Sequence, residues 1–219
     1  MSEFVNTIDL LGDEATTKGL IEGTLTEFND NVITKCGDYF LYYSQLTSVN
    51  LPKLTSLGKN AFSYSNVTNV NLPLVNSIGQ SSFMYSSNLT SLALPKVSTV
   101  NSSIRSCSKL KVVDLAKATN LMGYCFDNCS VLDAVILRSS TLCSNGGGNV
   151  LRYTPFDSGK AGGTLIVPRS LTASYPNATN WSALFANNAN NRVLALEDYT
   201  VDGTITGEID WNKLNGGAV

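Results

Sequence analysis

Apolar residues recur through the middle of the chain in a frame that repeats every 21 or 22 residues. Each copy has the form L-x-x-V-x-L, with Leu and Val exchanging at the apolar positions. Five copies share this frame and begin at Leu46, Val67, Leu89, Leu110 and Leu132. A weaker sixth copy begins at Leu25 and has Asp30 in place of its third apolar residue. A constant period of this length predicts a solenoid, because one copy has too few apolar side chains to close a core alone.

The register extends beyond these six positions. Apolar residues return eight residues after four of the five firm starts and eleven residues after all five. Proline follows the third apolar residue in three consecutive copies, which predicts the end of each strand. Phenylalanine recurs sixteen residues after a start, at Phe62, Phe83 and Phe126. Arg105 is the exception in that column, and Gly58 and Gly79 predict a tight turn after the apolar residues. We therefore predict a β-rich solenoid with parallel strands and about five to six coils.

The extended frame L-x-x-V-x-L-P-x-L-x-x-L-G-x-x-x-F resembles the leucine-rich repeats of the BspA type, first noted in bacterial and treponemal surface proteins. The segment Phe126-Asp-Asn-Cys129-Ser-Val-Leu132 matches the F-x-x-C-x-x-L junction of that class. Residues 163–168 resemble the strand that usually follows its last repeat. The resemblance implies a leucine-rich repeat solenoid over residues 25–168, with short helices mainly in the caps. The sequence departs from the pattern at Arg105 and after Leu137.

The segments on either side of the repeats predict caps. Residues 1–24 form a predicted amino-terminal cap, with a strand at 4–11 and a short helix that begins at Asp13 and ends at Gly23. Within the solenoid, glycine-rich stretches predict an irregular, mobile surface loop over 138–163, partly folded through Pro155-Phe156. Residues 169–219 form a predicted carboxyl-terminal cap and tail. In it we expect a short helix at 180–185, a strand at 193–196 and a hairpin turn at Asp202-Gly203.

Charge and hydropathy narrow the classes of partner. The formal net charge is -2 and only 15% of residues are charged, so a nucleic-acid partner is not expected. The sequence has no run of about 18 apolar residues, so membrane insertion is not expected either. Its first residues lack a basic segment followed by an apolar one, so we expect no secretory signal.

Catalytic and metal-binding residue types are sparse. The chain contains no histidine, which removes the usual base for a serine or cysteine nucleophile and the usual metal ligand. The glycine run that begins at Gly146 is not followed by the Lys-Ser/Thr of a phosphate-binding loop. We therefore predict no enzymatic activity, no cofactor and no metal. The five scattered cysteines predict buried free thiols in a reducing cell.

Two sets of side chains form a candidate binding face. One is a set of small polar residues between the apolar positions of the predicted strands: Thr47, Asn50, Thr68, Asn71 and Thr90. The other is a tyrosine column eighteen residues after the starts: Tyr43, Tyr64 and Tyr85, which Cys107 would continue. These columns are typical of a surface that binds a partner protein or sugar rings. They are more often features of a solvated sheet and of a packed aromatic edge.

The carboxyl-terminal arrangement suggests a biological setting. The Asn-Trp helix near Trp181, the Leu-Glu-Asp-Tyr segment and the Gly-Thr-Ile-Thr-Gly-Glu-Ile tail resemble small proteins of tailed bacteriophages and prophages. We hypothesise a virion component, a decoration, fibre or baseplate-associated protein made in the host cytoplasm. Its expected partners are other virion or surface proteins and host cell-surface polysaccharide, and homo-oligomerisation is left open. A bacterial cell-surface adhesin is the alternative, and a glycan-active enzyme is a weaker one.

Overall fold

The computed structural model describes residues 23–147 and 149–214, and within them the chain winds as a stack of coils. Each coil gives one strand to a main sheet, whose strands are β1 (Glu27–Asn29), β3 (Ser48–Asn50), β5 (Asn69–Asn71), β7 (Ser91–Ala93), β9 (Val112–Leu115), β11 (Ala134–Leu137), β13 (Thr164–Val167) and β14 (Arg192–Ala195). A second ladder holds the short strands β2 (Lys35–Cys36), β4 (Ser56–Leu57), β6 (Ser77–Ile78), β8 (Thr99–Asn101), β10 (Asn120–Met122) and β12 (Ser144–Asn145). The predicted amino-terminal cap lies almost entirely outside the described residues.

Neighbouring strands of the solenoid pair in parallel, with equivalent repeat positions opposite each other. Phe28 faces Val49, and Val49 faces Val70. The weak first copy therefore forms a genuine coil, although Asp30 replaces an apolar residue. The Asp30 carboxylate instead accepts the N–H groups of Val32 and Ile33. The predicted parallel solenoid is confirmed.

Both ladders are interrupted at the same coil. No strand pairing among the described residues joins β5 to β7 or β6 to β8, which divides the solenoid into an amino-terminal block, 25–88, and a carboxyl-terminal block, 89–214. Continuity is kept by the turn that joins each short strand to the next main-sheet strand, called here the turn edge. There the Phe83 N–H donates to Ser103 O at 2.8 Å and the Tyr85 N–H donates to Arg105 O at 3.1 Å.

The core consists of the predicted columns with one correction. Phe62 and Phe83 stack with ring centroids 5.2 Å apart and are fully buried. In the next coil Ile104, also fully buried, continues their column, and Arg105 lies outside it. The reason is that this coil has one residue fewer between its short strand and the turn edge, so the fixed offset of sixteen residues fails there.

Two further expectations are corrected. The predicted turn begins directly after Gly58, but Gly58 itself does not adopt a positive φ. A Cβ there would lie 2.4 Å from the Asp38 N of the preceding coil, so the glycine permits close approach of backbones. Residues 138–163, predicted as a surface loop, contribute β12 to the second ladder and bury Val150, Leu151 and Phe156. The burial of Phe156 agrees with the partial folding expected there, whereas nothing in the glycine-rich sequence indicated that Val150 and Leu151 are buried.

A compact cap closes the end of the second ladder. It contains helix α1 (Trp181–Asn187), which the sequence predicts, and a short 3-10 helix, Tyr175–Asn177. The Trp181 indole donates to Cys143 O at 2.7 Å, the Tyr175 hydroxyl accepts the Cys143 N–H at 3.0 Å, and Asn180 donates to Asn145 O at 2.7 Å. Side chains thus satisfy the edge that a further coil would otherwise pair.

The last residues fold back over the main sheet. After β14, a 3-10 helix (Leu196–Tyr199) leads to a single antiparallel pair, Thr200 with Ile209, around the predicted Asp202-Gly203 turn, and then to helix α2 (Trp211–Leu214). Leu196 and Ile209 pack on the side of the sheet that faces away from the core, called here the outer face. The tail therefore covers the outer face of the carboxyl-terminal block.

Candidate binding surfaces

The turn edge carries the tyrosine column. Tyr43, Tyr64 and Tyr85 have φ values of 57°, 58° and 59°, in the left-handed region that few non-glycine residues adopt. Ser106 has the same conformation, with φ of 59°, and takes the next place in the column. The expectation that Cys107 continues the column is wrong, because of the missing residue in the coil before it.

The tyrosine rings of this column stack on one another. The ring centroids of Tyr43 and Tyr64 are 4.7 Å apart at an interplanar angle of 6°, and those of Tyr64 and Tyr85 are 4.7 Å apart at 21°. Tyr42 meets Tyr43 edge-on at 4.6 Å. Both faces of Tyr64 are thus occupied by neighbouring rings. The column offers ring edges and hydroxyls to a partner, whereas stacking of sugar rings requires an open face.

Further along the turn edge lies an arginine cluster that the sequence analysis missed. Asp127 is 2% exposed and bonds Arg152 Nε at 2.8 Å and Arg105 Nη2 at 3.2 Å. The guanidinium carbons of Arg105 and Arg152 lie 5.3 and 5.2 Å from the Tyr124 ring centroid, and that of Arg152 lies 4.8 Å from the Tyr153 centroid. Its hydrogen bond to Asp127 raises the pKa of Arg152. Once the register is corrected, the two arginines and Asp127 occupy one position in successive coils, and that alignment is the signal that sequence reasoning lacked.

The predicted polar residues lie on the main sheet and are largely engaged with neighbouring coils. The Thr47 hydroxyl donates to Thr26 O at 3.0 Å, and the Thr68 hydroxyl donates to Thr47 O at 2.9 Å. The Asn71 amide donates to Asn50 Oδ1 at 2.7 Å. The tyrosines and these polar residues therefore occupy different parts of each coil, and the structure does not gather them into one site.

A groove of about 730 Å³ lies between the tail and the outer face of β9, β11, β13 and β14. This basic groove is lined by Lys111, Asp133, Arg192, Tyr199, Trp211 and Lys213, among others. Of the predicted site residues, Thr90 alone lines it. Glycoside hydrolysis ordinarily uses a pair of carboxylates, and the lining has a single one, Asp133.

The cysteines are buried, and two of them donate hydrogen bonds to a neighbouring coil. All five thiols are free. The Cys107 and Cys129 thiols donate to Phe83 O and Ile104 O, each at 3.0 Å, in the column where earlier coils place Ser65 and Ser86. A hydrogen bond with Cys129 and burial raise the pKa of Cys107, and burial raises the pKa of Cys143 to about 12. A thiol held protonated in this way is a poor nucleophile.

Metal-ligand groups and membrane-spanning helices are both absent from residues 23–147 and 149–214. No group of three or more Cys, Asp or Glu side chains there is arranged to hold a metal ion. No described helix has the length and apolar character needed to cross a membrane.

Comparison with known proteins agrees with the repeat frame. The model of the BspA type leucine-rich repeat region matches residues 25–145 as six copies, which is more than half of the chain. The sixth, degenerate copy at Leu25 is therefore confirmed. Among curated proteins, no sequence matches the chain. Leucine-rich repeat solenoids of this type are typically non-catalytic scaffolds for protein interaction.

Proposed function

Because the chain belongs to the BspA-type leucine-rich repeat family, we propose that it is a non-enzymatic binding protein of a bacteriophage particle, docked on another particle protein through its turn edge. It would serve as a decoration, fibre or baseplate-associated component. The repeat solenoid fits an interaction protein, and the choice of surface and setting rests on the observations that follow.

The residue composition of the turn edge is the observation that favours it as the docking surface. Tyrosine and arginine are the residue types most enriched among residues that dominate binding energy at protein interfaces. Here they follow one another along the whole solenoid, and Tyr43, Tyr85 and Tyr153 are 56%, 41% and 55% exposed. Tyr64, which is stacked between Tyr43 and Tyr85, has no open ring face for a sugar, and this favours a protein partner over a saccharide.

The tail supports the phage setting. Its sequence resembles small proteins of tailed bacteriophages, and its parts fold into the cap and the outer-face cover rather than hanging free. Trp181 is 1% exposed and Leu196 is fully buried, so the resemblance involves residues with structural roles.

Comparison of phage particles made with and without the gene for this chain tests the setting. We expect the protein to co-purify with intact particles and to account for a density that electron microscopy of the deletion particles lacks. Unaltered particles from which the protein is also absent would reject the virion role.

Substitution of two stacked tyrosines tests the surface. Tyr64→Ala with Tyr85→Ala is expected to weaken binding to deletion particles by about tenfold or more, because two anchor residues of the interface are lost. Tyr64→Phe with Tyr85→Phe is the matched control, since it keeps the ring stack and should retain most binding. Unchanged binding by the alanine variant would contradict the proposal, and a collapse of its melting temperature would mark the tyrosines as structural.

A bacterial cell-surface adhesin is the second candidate, and the family match is the observation that favours it. The two settings differ in where the protein is found. Protease shaving of intact bacteria would release an adhesin, whereas a virion protein would remain with the purified particles.

A further inference from the structure

We propose that the basic groove binds a saccharide that bears a carboxylate or a phosphate group. The inference rests on the proposed function only in treating the chain as a binding protein. The groove shares no residues with the turn edge. It lies on the outer face of the main sheet, where the tail covers the strands.

The groove is formed by the fold and by the tail together. Its floor consists of the first outward-facing residues of four strands, including Val112, Ala134 and Thr164, and its far wall is formed by Trp211 and Leu214 of α2. Its volume of about 730 Å³ lies within the range of about 300–1,000 Å³ typical of small-ligand sites. The space is sufficient for a short oligosaccharide.

The charge of the lining selects an anion. Lys111, Arg192 and Lys213 face the groove, against the single carboxylate of Asp133, in a chain whose net charge is -2. Among the residues that the structure describes, neither Lys111 nor Lys213 forms an ion pair. Arg192 donates one hydrogen bond, from Nη2 to the Thr164 hydroxyl at 2.9 Å, which orients its guanidinium without neutralising it.

The remaining groups of the lining suit a sugar. Trp211 is 45% exposed, and no aromatic contact covers its indole among the described residues, in contrast to the stacked tyrosines of the turn edge. An open indole face packs against the apolar face of a sugar ring. Thr90, Thr164 and Asp133 supply hydroxyl and carboxylate oxygens for sugar hydroxyls.

One repeat position that lines the groove carries different residue types from the same position in the amino-terminal block. The column that carries Thr26, Thr47 and Thr68 in the amino-terminal block continues as Lys111 and Asp133 in the groove. The threonine hydroxyls of the first block donate to the preceding coil, so they hold the stack together. The same backbone bond recurs from the Asp133 N–H to Lys111 O at 2.9 Å, but among the described residues neither of these two side chains adds a bond to a neighbouring coil.

Calorimetric titration of the full chain with three probes tests the proposal. The probes are a glucuronate-containing disaccharide, a glucose-substituted poly(glycerol phosphate) chain, and cellobiose as the uncharged comparison. We expect at least one acidic probe to bind saturably and about tenfold or more tightly than cellobiose, with an affinity that falls as salt is added. The first two arms distinguish a carboxylate from a phosphate ligand.

Variants locate the binding. Lys111→Ser with Arg192→Ser should weaken acidic-probe binding by about tenfold, and Trp211→Ala should weaken it by about threefold. Lys53→Ser with Lys96→Ser is the matched control, because both lysines are exposed and lie outside the groove, and it should leave binding unchanged. Urea midpoints of all variants identify any that fail to fold.

Two results would overturn the inference: equal affinity for cellobiose and both acidic probes, or equal weakening by the groove pair and the control pair. The double tyrosine variant should bind the acidic probe normally, and the groove variants should dock on particles normally. Failure of the groove and failure of the turn edge are therefore distinguishable.

Discussion

The two blocks of the solenoid treat the outer face of the same sheet differently. In the amino-terminal block the outward positions carry Asn50 and Asn71, which bond to each other and meet solvent. In the carboxyl-terminal block the equivalent positions carry Ile136 and Ile166, both fully buried beneath the tail. The repeat requires apolar residues only on the side that faces the core. The residues on the outer side can therefore differ between coils. In the carboxyl-terminal block they are apolar and pack against the tail.

Exchanging the outward-facing strand residue between the two blocks should produce the largest change in the free energy of unfolding. Ile136→Asn is expected to destabilise the fold by about 3–5 kcal/mol, because it removes a buried aliphatic side chain and buries an amide without partners. The matched control is Asn71→Ile at the same repeat position, where the side chain meets solvent, and it should change stability by about 0.5 kcal/mol or less. Urea unfolding measures both. Equal effects would show that the tail does not cover the sheet.

Loss of the residue that fastens the tail should have an intermediate effect. Arg138 pairs with both carboxylate oxygens of Asp114 at 2.9 and 3.0 Å through Nε, and donates from Nη1 to Ile205 O and Gly207 O. With its side chain 13% exposed, Arg138→Ala should cost about 2 kcal/mol and accelerate amide exchange in the tail more than in the amino-terminal block.

The control for this prediction is a pair in open solvent. Arg169 and Asp198 also form an ion pair, but their side chains are 59% and 55% exposed. Arg169→Ala should therefore cost about 0.5 kcal/mol or less. If Arg138→Ala proved equally mild, the tail would be held by apolar contact alone.

Alkaline pH should lower the free energy of unfolding of both blocks through one column of buried cysteines. Cys36 and Cys143 lie eleven residues after the starts of the first and last repeat copies, and burial raises the pKa of each from about 9 to about 12. The unfolded thiols therefore lose their protons first, so this contribution is intact below about pH 9 and is lost as pH rises through 12.

The measurement compares variants at two pH values. Between about pH 8 and about pH 10, Cys143→Ala should lose about 1 kcal/mol less stability than the parent chain, and Cys36→Ala should behave alike. Because each variant is compared with itself at the two pH values, the stability lost by truncating the side chain cancels. An unchanged slope in both variants would mean that neither thiol resists ionisation in the folded protein.

Sequence periodicity predicted the coils because each apolar column is required for stacking. It placed Phe62 and Phe83 correctly, and it predicted α1 at Trp181 from a short amphipathic pattern. It misplaced Arg105 and Cys107, since a fixed offset cannot reveal that one coil is shorter by a residue on one side only. A change of turn length leaves almost no compositional signal.

The candidate surfaces were less predictable than the fold. Tyr43, Tyr64 and Tyr85 were recognisable as a column, but only coordinates reveal that their rings close on one another. The arginine cluster required the corrected register, and the basic groove required that Lys111 and tail residues about 100 positions later line the same space. The proximity of residues so distant in sequence depends on how the tail packs, and no local sequence pattern encodes that packing.

The paired interruption of the two ladders has a mechanical consequence. Where the blocks meet, the described backbone hydrogen bonds that span the junction belong to the turn edge, as in the bond from Phe83 N–H to Ser103 O. Bending that opens the main sheet at this point would break no strand pairing, whereas bending that opens the turn edge would break backbone hydrogen bonds between coils. The solenoid is therefore expected to bend most easily in the direction that opens the main sheet, whereas the turn edge, along which the stacked tyrosines lie, resists opening.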